Sequence, residues 1–293
     1  MIALLYDRGA DMNTRLKIFI LAIAIMILNW DIPAVAVMNG RDADLTQSRA
    51  AIFISLEGSD RTCTGVVVNP HLILTAAHCV DGVSSSASKI EVTNGITHSS
   101  SRYLNVVKFG KSPNFKLVAN ARSHEKEDEN REDIRYDFAY IRVQQDLLET
   151  LSVQASDLPL MAPTSTEIQA LLPKTTSVKG YGYGIFDRHE NSGRKKEIRL
   201  ALTWDEAAQA IRADSTEPKV GLCSGDSGGG LFGTVDGDKT YLFGVVVGID
   251  VKHHCGDAES FAAYAPISVE LLCSLQAAAD TDLGISACPA VSK

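Results

Sequence analysis

The stretch "CSGDSGGG", Cys223 to Gly230, sets one serine among glycines late in the chain. Glycine accepts tight and left-handed turns and lets a backbone come close to a ligand. Ser227 is therefore presented as an exposed nucleophile, and the N–H groups around it can face a developing oxyanion. A short Gly-x-Ser-x-Gly alone is weak evidence, but the longer string is far more specific. A serine hydroxyl needs a base to take its proton, and histidine usually serves. "LTAAHC", Leu74 to Cys79, supplies His78. "YDFAYIRV", Tyr136 to Val143, supplies Asp137 at the head of an alternating strand, a sheet-edge position from which a carboxylate can orient an imidazole.

Competing residues lack this context. His71 is close to His78 in sequence but reads as a strand or turn residue. Asp133 also precedes an isoleucine, yet only Asp137 has an alanine two residues on with apolar alternation behind it. His253 and His254 flank Cys255 without a third ligand, and Glu91 has no second carboxylate nearby, so neither metal ligation nor calcium binding is expected and no cofactor is assigned.

Around these motifs the chain reads mostly as short β-rich runs: 51–57, 64–68, 71–76, 103–109, 136–143, 176–184, 198–204 and 241–249. Gly, Asn, Asp, Pro and Ser punctuate them. Many short strands at close spacing predict antiparallel barrels or sandwiches. Ser268 to Ala279 instead reads as a helix, with Val269, Leu272, Leu275 and Gln276 at helical spacing. The charge-dense segment 124–133 reads as a solvated surface loop.

The start of the chain reads as an address. Arg15 and Lys17 precede the apolar run 18–28, and Ala34-Val35-Ala36 then places small residues where a signal peptidase reads. Met12 serves as an alternative start. The run is about half of the ~20 residues a membrane-spanning helix needs, so residues 1–36 are expected to be a signal peptide and no stable membrane anchor is expected. Six cysteines follow, an even number that in an exported protein favours disulfides; they permit 15 pairings. The formal net charge of −8 gives no support to nucleic-acid binding.

His78, Asp137 and Ser227 in that chain order resemble the chymotrypsin/trypsin-like serine endopeptidases, since other serine hydrolases order the three differently. "KGYGYG" at 179–184 and "FAAYAPI" at 261–267 extend the resemblance, which runs from about Val37 to the helix ending near Ala279 and covers essentially the whole mature chain. It implies an all-β fold of two antiparallel six-stranded β-barrels with the active site in the cleft between them and a short C-terminal helix. The N-terminal barrel would span about 37–155 and the C-terminal barrel about 156–267, with helix and tail at 268–293. His78 would be the general base and acid, Asp137 its orienting carboxylate and Ser227 the nucleophile. The N–H groups of Gly225 and Ser227 would form the oxyanion hole. The resemblance also implies disulfides Cys63–Cys79 and Cys223–Cys255, leaving Cys273 and Cys288 to pair as a feature not general to the family.

In such enzymes a cut frees an Ile or Val whose ammonium pairs with the Asp beside the nucleophile. Here those residues would be Val37 and Asp226, with the cut between Ala36 and Val37 and 26 residues from there to Cys63. Three departures stand out. The His78–Asp137 interval is long, Gly230 replaces a usual Pro, and Val247 replaces a usual Ser that touches the orienting Asp; the last predicts slower catalysis. At the base of the primary pocket an Asp would select Arg or Lys, but Gly221 stands there, with Gly248 and Ala262 expected as walls. Cleavage after Arg or Lys is therefore not expected. The reading is of a secreted (extracellular or periplasmic) hydrolase with protein or peptide substrates and with protein protease inhibitors as partners. The alternative class is a protease-like scaffold of little activity used for binding or adhesion.

Overall fold

Leu72, Ile73 and Leu74 show how this chain uses its strands. Successive side chains on a strand point to opposite faces. Ile73 faces the interior of a barrel beside Val67, Ile90 and Ile141. Leu72 and Leu74 face outward, yet they too are buried, among Val66, Phe232, Val245 and Ile267. The outer face of one barrel is thus covered by the other, and the strands at the seam are apolar on both faces. Burying a side chain of this size stabilises the fold by roughly 1.5–3 kcal/mol.

The structure is a computed structural model that describes residues 37, 39–116, 131–184, 193–249 and 261–289. Strands β2 (Ala51–Leu56), β3 (Cys63–Asn69), β4 (Leu72–Thr75), β5 (Lys89–Thr93), β6 (Arg102–Lys111) and β7 (Ala139–Val143) close a six-stranded antiparallel barrel in the order β2-β3-β4-β7-β6-β5. The second barrel runs β9 (Thr175–Gly182), β10 (Lys196–Asp205), β11 (Ala210–Ser215), β14 (Phe261–Pro266), β13 (Lys239–Ile249) and β12 (Gly230–Val235). It closes because β9 pairs with both β10 and β12. Two-residue strands β1 (Arg41–Asp42) and β8 (Leu160–Met161) add to it through β10 and β13. The expected fold class is therefore observed.

Strands β5, β11, β12 and β14, with the two-residue β1 and β8, lie outside the runs read from sequence. β5 buries Ile90, Val92 and Thr93, a short alternation interleaved with Lys89 and Glu91. The strand expected from 136 begins at Ala139, because a 3-10 turn over Arg131–Tyr136 precedes it and the Asp137 N–H still bonds back to the Ile134 carbonyl. Short helices were also missed: α1 (Ala77–Val80), α2 (Leu147–Leu151), capped by the Asp146 carboxylate, and α3 (Ser165–Leu171), capped by Thr164.

The late helix is observed as α4 (Val269–Ala279), with Ser268 as its N-cap and the left-handed Asp280, φ 45°, as its C-cap. Its buried face, Leu272 and Leu275, packs into the seam. The tail beyond it crosses to the first barrel. Leu283 and Ile285 are buried, and Asn69 Nδ2 donates to the Leu283 carbonyl at 2.9 Å. A disulfide, Cys273–Cys288, staples tail to helix.

A single buried lysine also ties the barrels. Lys195, 0% exposed, lies just before β10 and donates to the carbonyls of Ser48 (2.7 Å) and Asn94 (3.1 Å) in the first barrel, with its ammonium over the Tyr183 ring. No carboxylate accompanies it among these contacts, and burial lowers its pKa to about 7. No helix among the described residues is long and apolar enough to cross a membrane. Residues 1–36, His253, His254, Cys255 and the charged loop up to 130 fall outside the described residues.

Candidate active site

β4 ends at Thr75, and the chain turns directly into α1, which carries His78. The helix is a single turn, held from the side by the disulfide Cys63–Cys79, so His78 is fixed by covalent geometry more than by helix length. Arg61 adds a contact from its guanidinium to the His78 carbonyl at 2.5 Å. Asp137 lies two residues before β7, whose Ala139 pairs with Thr75. That register brings Asp137 to His78. Its Oδ2 meets the imidazole Nδ1 at 2.7 Å, and its Oδ1 accepts the His78 backbone N–H at 2.9 Å. One carboxylate thus fixes both the ring and the backbone of the same residue. With Nδ1 engaged, Nε2 is left to handle a proton on the opposite side of the ring. Both side chains are mostly covered, 21% and 13% exposed.

Ser227 comes from the other barrel, on the loop that leads into β12. Two glycines of that loop hold positive φ, Gly225 at 91° and Gly228 at 81°. Gly228 has no room for a side chain, since a Cβ would lie 2.0 Å from Thr75 Oγ1 and 2.3 Å from the Thr64 carbonyl. The loop is stitched to β13 by bonds from the Gly228 N–H to the Val246 carbonyl and from the Val246 N–H to the Gly229 carbonyl. It is also joined to the first barrel. The Thr64 N–H donates to the Ser227 carbonyl at 2.8 Å, and Cys79 Sγ lies 3.7 Å from the same oxygen. The residue before Ser227, Asp226, is 1% exposed. It accepts N–H bonds from Gly184 and Cys223, each at 2.8 Å, and from Val37. Burial pushes this carboxyl up to about 6, against the pull of those three donors. Among the described residues neither the Gly225 nor the Ser227 N–H has an acceptor.

The structure therefore brings His78 and Asp137 into contact, sets the Ser227 loop against the His78 loop, and places Val37, fully buried, at Asp226. Val37 has φ 42°, a region β-branched residues rarely occupy, and the Gly40 N–H closes back on its carbonyl at 2.6 Å. His71 sits apart in the β3–β4 turn, with Nδ1 at the Gln145 carbonyl. Val247 falls at a bulge between Val246 and Gly248 and packs on apolar residues of both the seam and the first barrel. The hydrogen bonds that Asp137 accepts among the described residues both come from His78.

Gly221 and Ala262 are buried, and a Cβ on Gly248 would meet nothing within 4 Å. The register sets Gly248 opposite Ala263 and Ile249 opposite Ala262. Cys223 is disulfide-bonded, while its expected partner Cys255 lies outside the described residues. Cys63, His78 and Cys79 bring ligand-type atoms within 4.8 Å of one another, but both sulfurs are consumed in the disulfide and cannot act as thiolates. One residue of the site had no signal in the sequence. Thr64 is an ordinary β-former in a strand, and only the fold shows it touching the Ser227 loop.

A family model described as Trypsin matches residues 37–271. Among curated proteins the chain is similar to a chymotrypsin of Phaedon cochleariae, 26% identical over 212 residues that cover 68% of this chain and 70% of that protein. It is similar to a CLIP domain-containing serine protease HP8 of Bombyx mori, 28% identical over 202 residues, 63% of this chain and 53% of that protein. Spermosin of Halocynthia roretzi is 26% identical over 222 residues, 71% and 52% of the two chains. The match spans about half the length of these last two relatives.

Proposed function

The chain belongs to the trypsin family of serine endopeptidases, and from that premise we propose that it is an exported protease working through His78, Asp137 and Ser227. The observation that carries the proposal is the double grip of Asp137 on His78, through Nδ1 at 2.7 Å and the backbone N–H at 2.9 Å. A carboxylate in that position holds the imidazole in one tautomer and stabilises the imidazolium that forms during reaction. His78 removes the Ser227 proton as Oγ attacks the peptide carbonyl. The oxyanion is received by the N–H groups of Gly225 and Ser227. His78 then passes the proton to the departing amine, leaving an acyl-enzyme that water hydrolyses by the same steps in reverse order. Losing one oxyanion donor typically costs ~3 kcal/mol of barrier.

Maturation by a cut between Ala36 and Val37 fits the burial of Val37 against Asp226. In the uncut chain the carboxylate meets only N–H dipoles and is pushed toward its neutral form. The cut would place an ammonium there and also remove the torsion that holds Val37 at φ 42°. Gly221, Gly248 and Ala262 offer no carboxylate to pair a cationic side chain, which supports cleavage after small or medium apolar residues over Arg or Lys. A fluorophosphonate probe tests the central reading. Labelling of the processed protein but not of Ser227→Ala is expected, and no labelling of correctly processed wild type would overturn it in favour of a scaffold.

A further inference from the structure

Thr64 is 0% exposed, and all three of its polar groups are used at one place. Its N–H donates to the Ser227 carbonyl at 2.8 Å, and its own carbonyl accepts from the Thr75 hydroxyl at 2.9 Å. Its hydroxyl lies 3.0 Å from the Gly225 carbonyl and 3.1 Å from the Tyr183 nitrogen. A hydroxyl carries one proton. The Tyr183 N–H can only donate, so the Thr64 proton must go to the Gly225 oxygen. A single residue of the first barrel therefore holds the carbonyls on both sides of Asp226.

Those two carbonyls set the planes of the loop. The Gly225 oxygen shares a peptide with the Asp226 N–H, which is itself engaged at the Cys223 carbonyl at 3.1 Å. With both ends of that peptide held, ψ of Gly225 is fixed, at a residue whose φ of 91° a side chain would disfavour. The Ser227 oxygen is fixed by the Thr64 backbone. What remains unheld are the Gly225 and Ser227 N–H groups, the two without an acceptor among the described residues. The Tyr183 arm extends the same clamp, since the next residue, Gly184, donates to the Asp226 carboxylate at 2.8 Å.

We propose that Thr64 is a positioning residue for the oxyanion hole, its hydroxyl locking the Gly225 peptide so that the two free N–H groups converge on the substrate oxygen. This rests on the protease reading above. A glycine or alanine at position 64 would keep the backbone bond to Ser227 and lose the lock.

The test uses processed protein with a peptide anilide substrate and a peptide aldehyde, whose adduct with Ser227 carries an oxyanion. Thr64→Val, which keeps shape and removes the hydroxyl, is expected to lower kcat by about tenfold or more, with KM within about twofold. Aldehyde affinity should fall by the same factor as kcat, and the acid limb of the kcat/KM profile should not move. Thr64→Ser should recover most of the loss. If Thr64→Val does not accumulate folded, Thr64→Ala carries the same measurements. Unchanged kcat and aldehyde affinity in the valine or alanine variant, a rise in KM alone, or a serine variant as impaired as the valine one each overturns the proposal. A wild type that neither labels with fluorophosphonate nor cleaves substrate overturns the protease reading itself, a distinct result.

Discussion

Asp226 carries a charge conflict at the scale of one residue. Its folded pKa of about 6 lies above its ordinary value of 3.8, with burial as the cause. A raised carboxyl pKa stabilises the fold at low pH, and that contribution disappears as pH rises through the folded value. The gap between the two values corresponds to roughly 3 kcal/mol. Protein retaining residues upstream of Val37 should therefore lose about 2–3 kcal/mol of stability between about pH 4 and pH 8, relative to protein that begins at Val37, where an ammonium neutralises the carboxylate. Denaturant unfolding of the two forms across that range reads the difference, and parallel profiles would disprove the pairing of Val37 with Asp226. The same scale explains what sequence could and could not say. The contact of His78 with Asp137 is legible because the proposed base and orienting acid each sit in a motif, as does Ser227, the proposed nucleophile. Thr64 is not, because its neighbours Gly225 and Tyr183 are more than a hundred residues away in sequence and its composition signals only a strand.

At the scale of elements, the helix α4 and its tail depend on a bond that lies largely beyond the matched family region, which ends at residue 271. Cys273 and Cys288 close a loop of sequence separation 15. In the chain-entropy model such a closure is worth about 3 kcal/mol. Replacing both with serine should lower global stability by about 2–3 kcal/mol while kcat/KM at a temperature well below the transition stays near wild type, because the staple joins the tail to α4 and neither cysteine bonds to the His78 or Ser227 loops. Urea unfolding alongside an activity assay checks both. An unchanged midpoint would mean that the tail is held by Leu283, Ile285 and the Asn69 bond alone. α4 was readable because a cap and an apolar stripe had eleven residues in which to appear. α2 and α3, five and seven residues long, are too short for a helical period to separate from noise. β5 was lost for a related reason, its few apolar residues being interleaved with charge.

At the scale of the molecule, the proposed reaction needs two barrels in fixed register, since His78 and Asp137 ride on one and Ser227 on the other. Lys195 is one of the ties. Its folded pKa of about 7 lies below the ordinary 10.5 because burial disfavours the charge. The unfolded chain then binds more protons between those values, so this lysine adds stability as pH rises from neutral. The stability of wild type relative to Lys195→Met should increase by roughly 2 kcal/mol between about pH 7 and pH 9. Thermal or denaturant unfolding of the pair measures it, and a constant difference would show that Lys195 is not titrating inside the seam. The all-β class was legible from many short strands, and the two-barrel architecture followed from the family resemblance. The seam itself was not, because apolar residues on both faces of β4 look in sequence like any buried run.

Gly228 has a consequence for how this protein can change over time. A methyl group there would collide with a hydroxyl at 2.0 Å and a backbone oxygen at 2.3 Å, both from the opposite barrel. At Gly182 a methyl would lie 1.9 Å from the Asp226 carboxylate. At Gly82, by contrast, a turn glycine meets nothing within 4 Å, so a substitution would disturb only its own backbone. Drift is thus open at the rim and closed at the seam. The glycines that follow Ser227 leave neutral variation no foothold, and new specificities in descendants of this chain would have to be written around them.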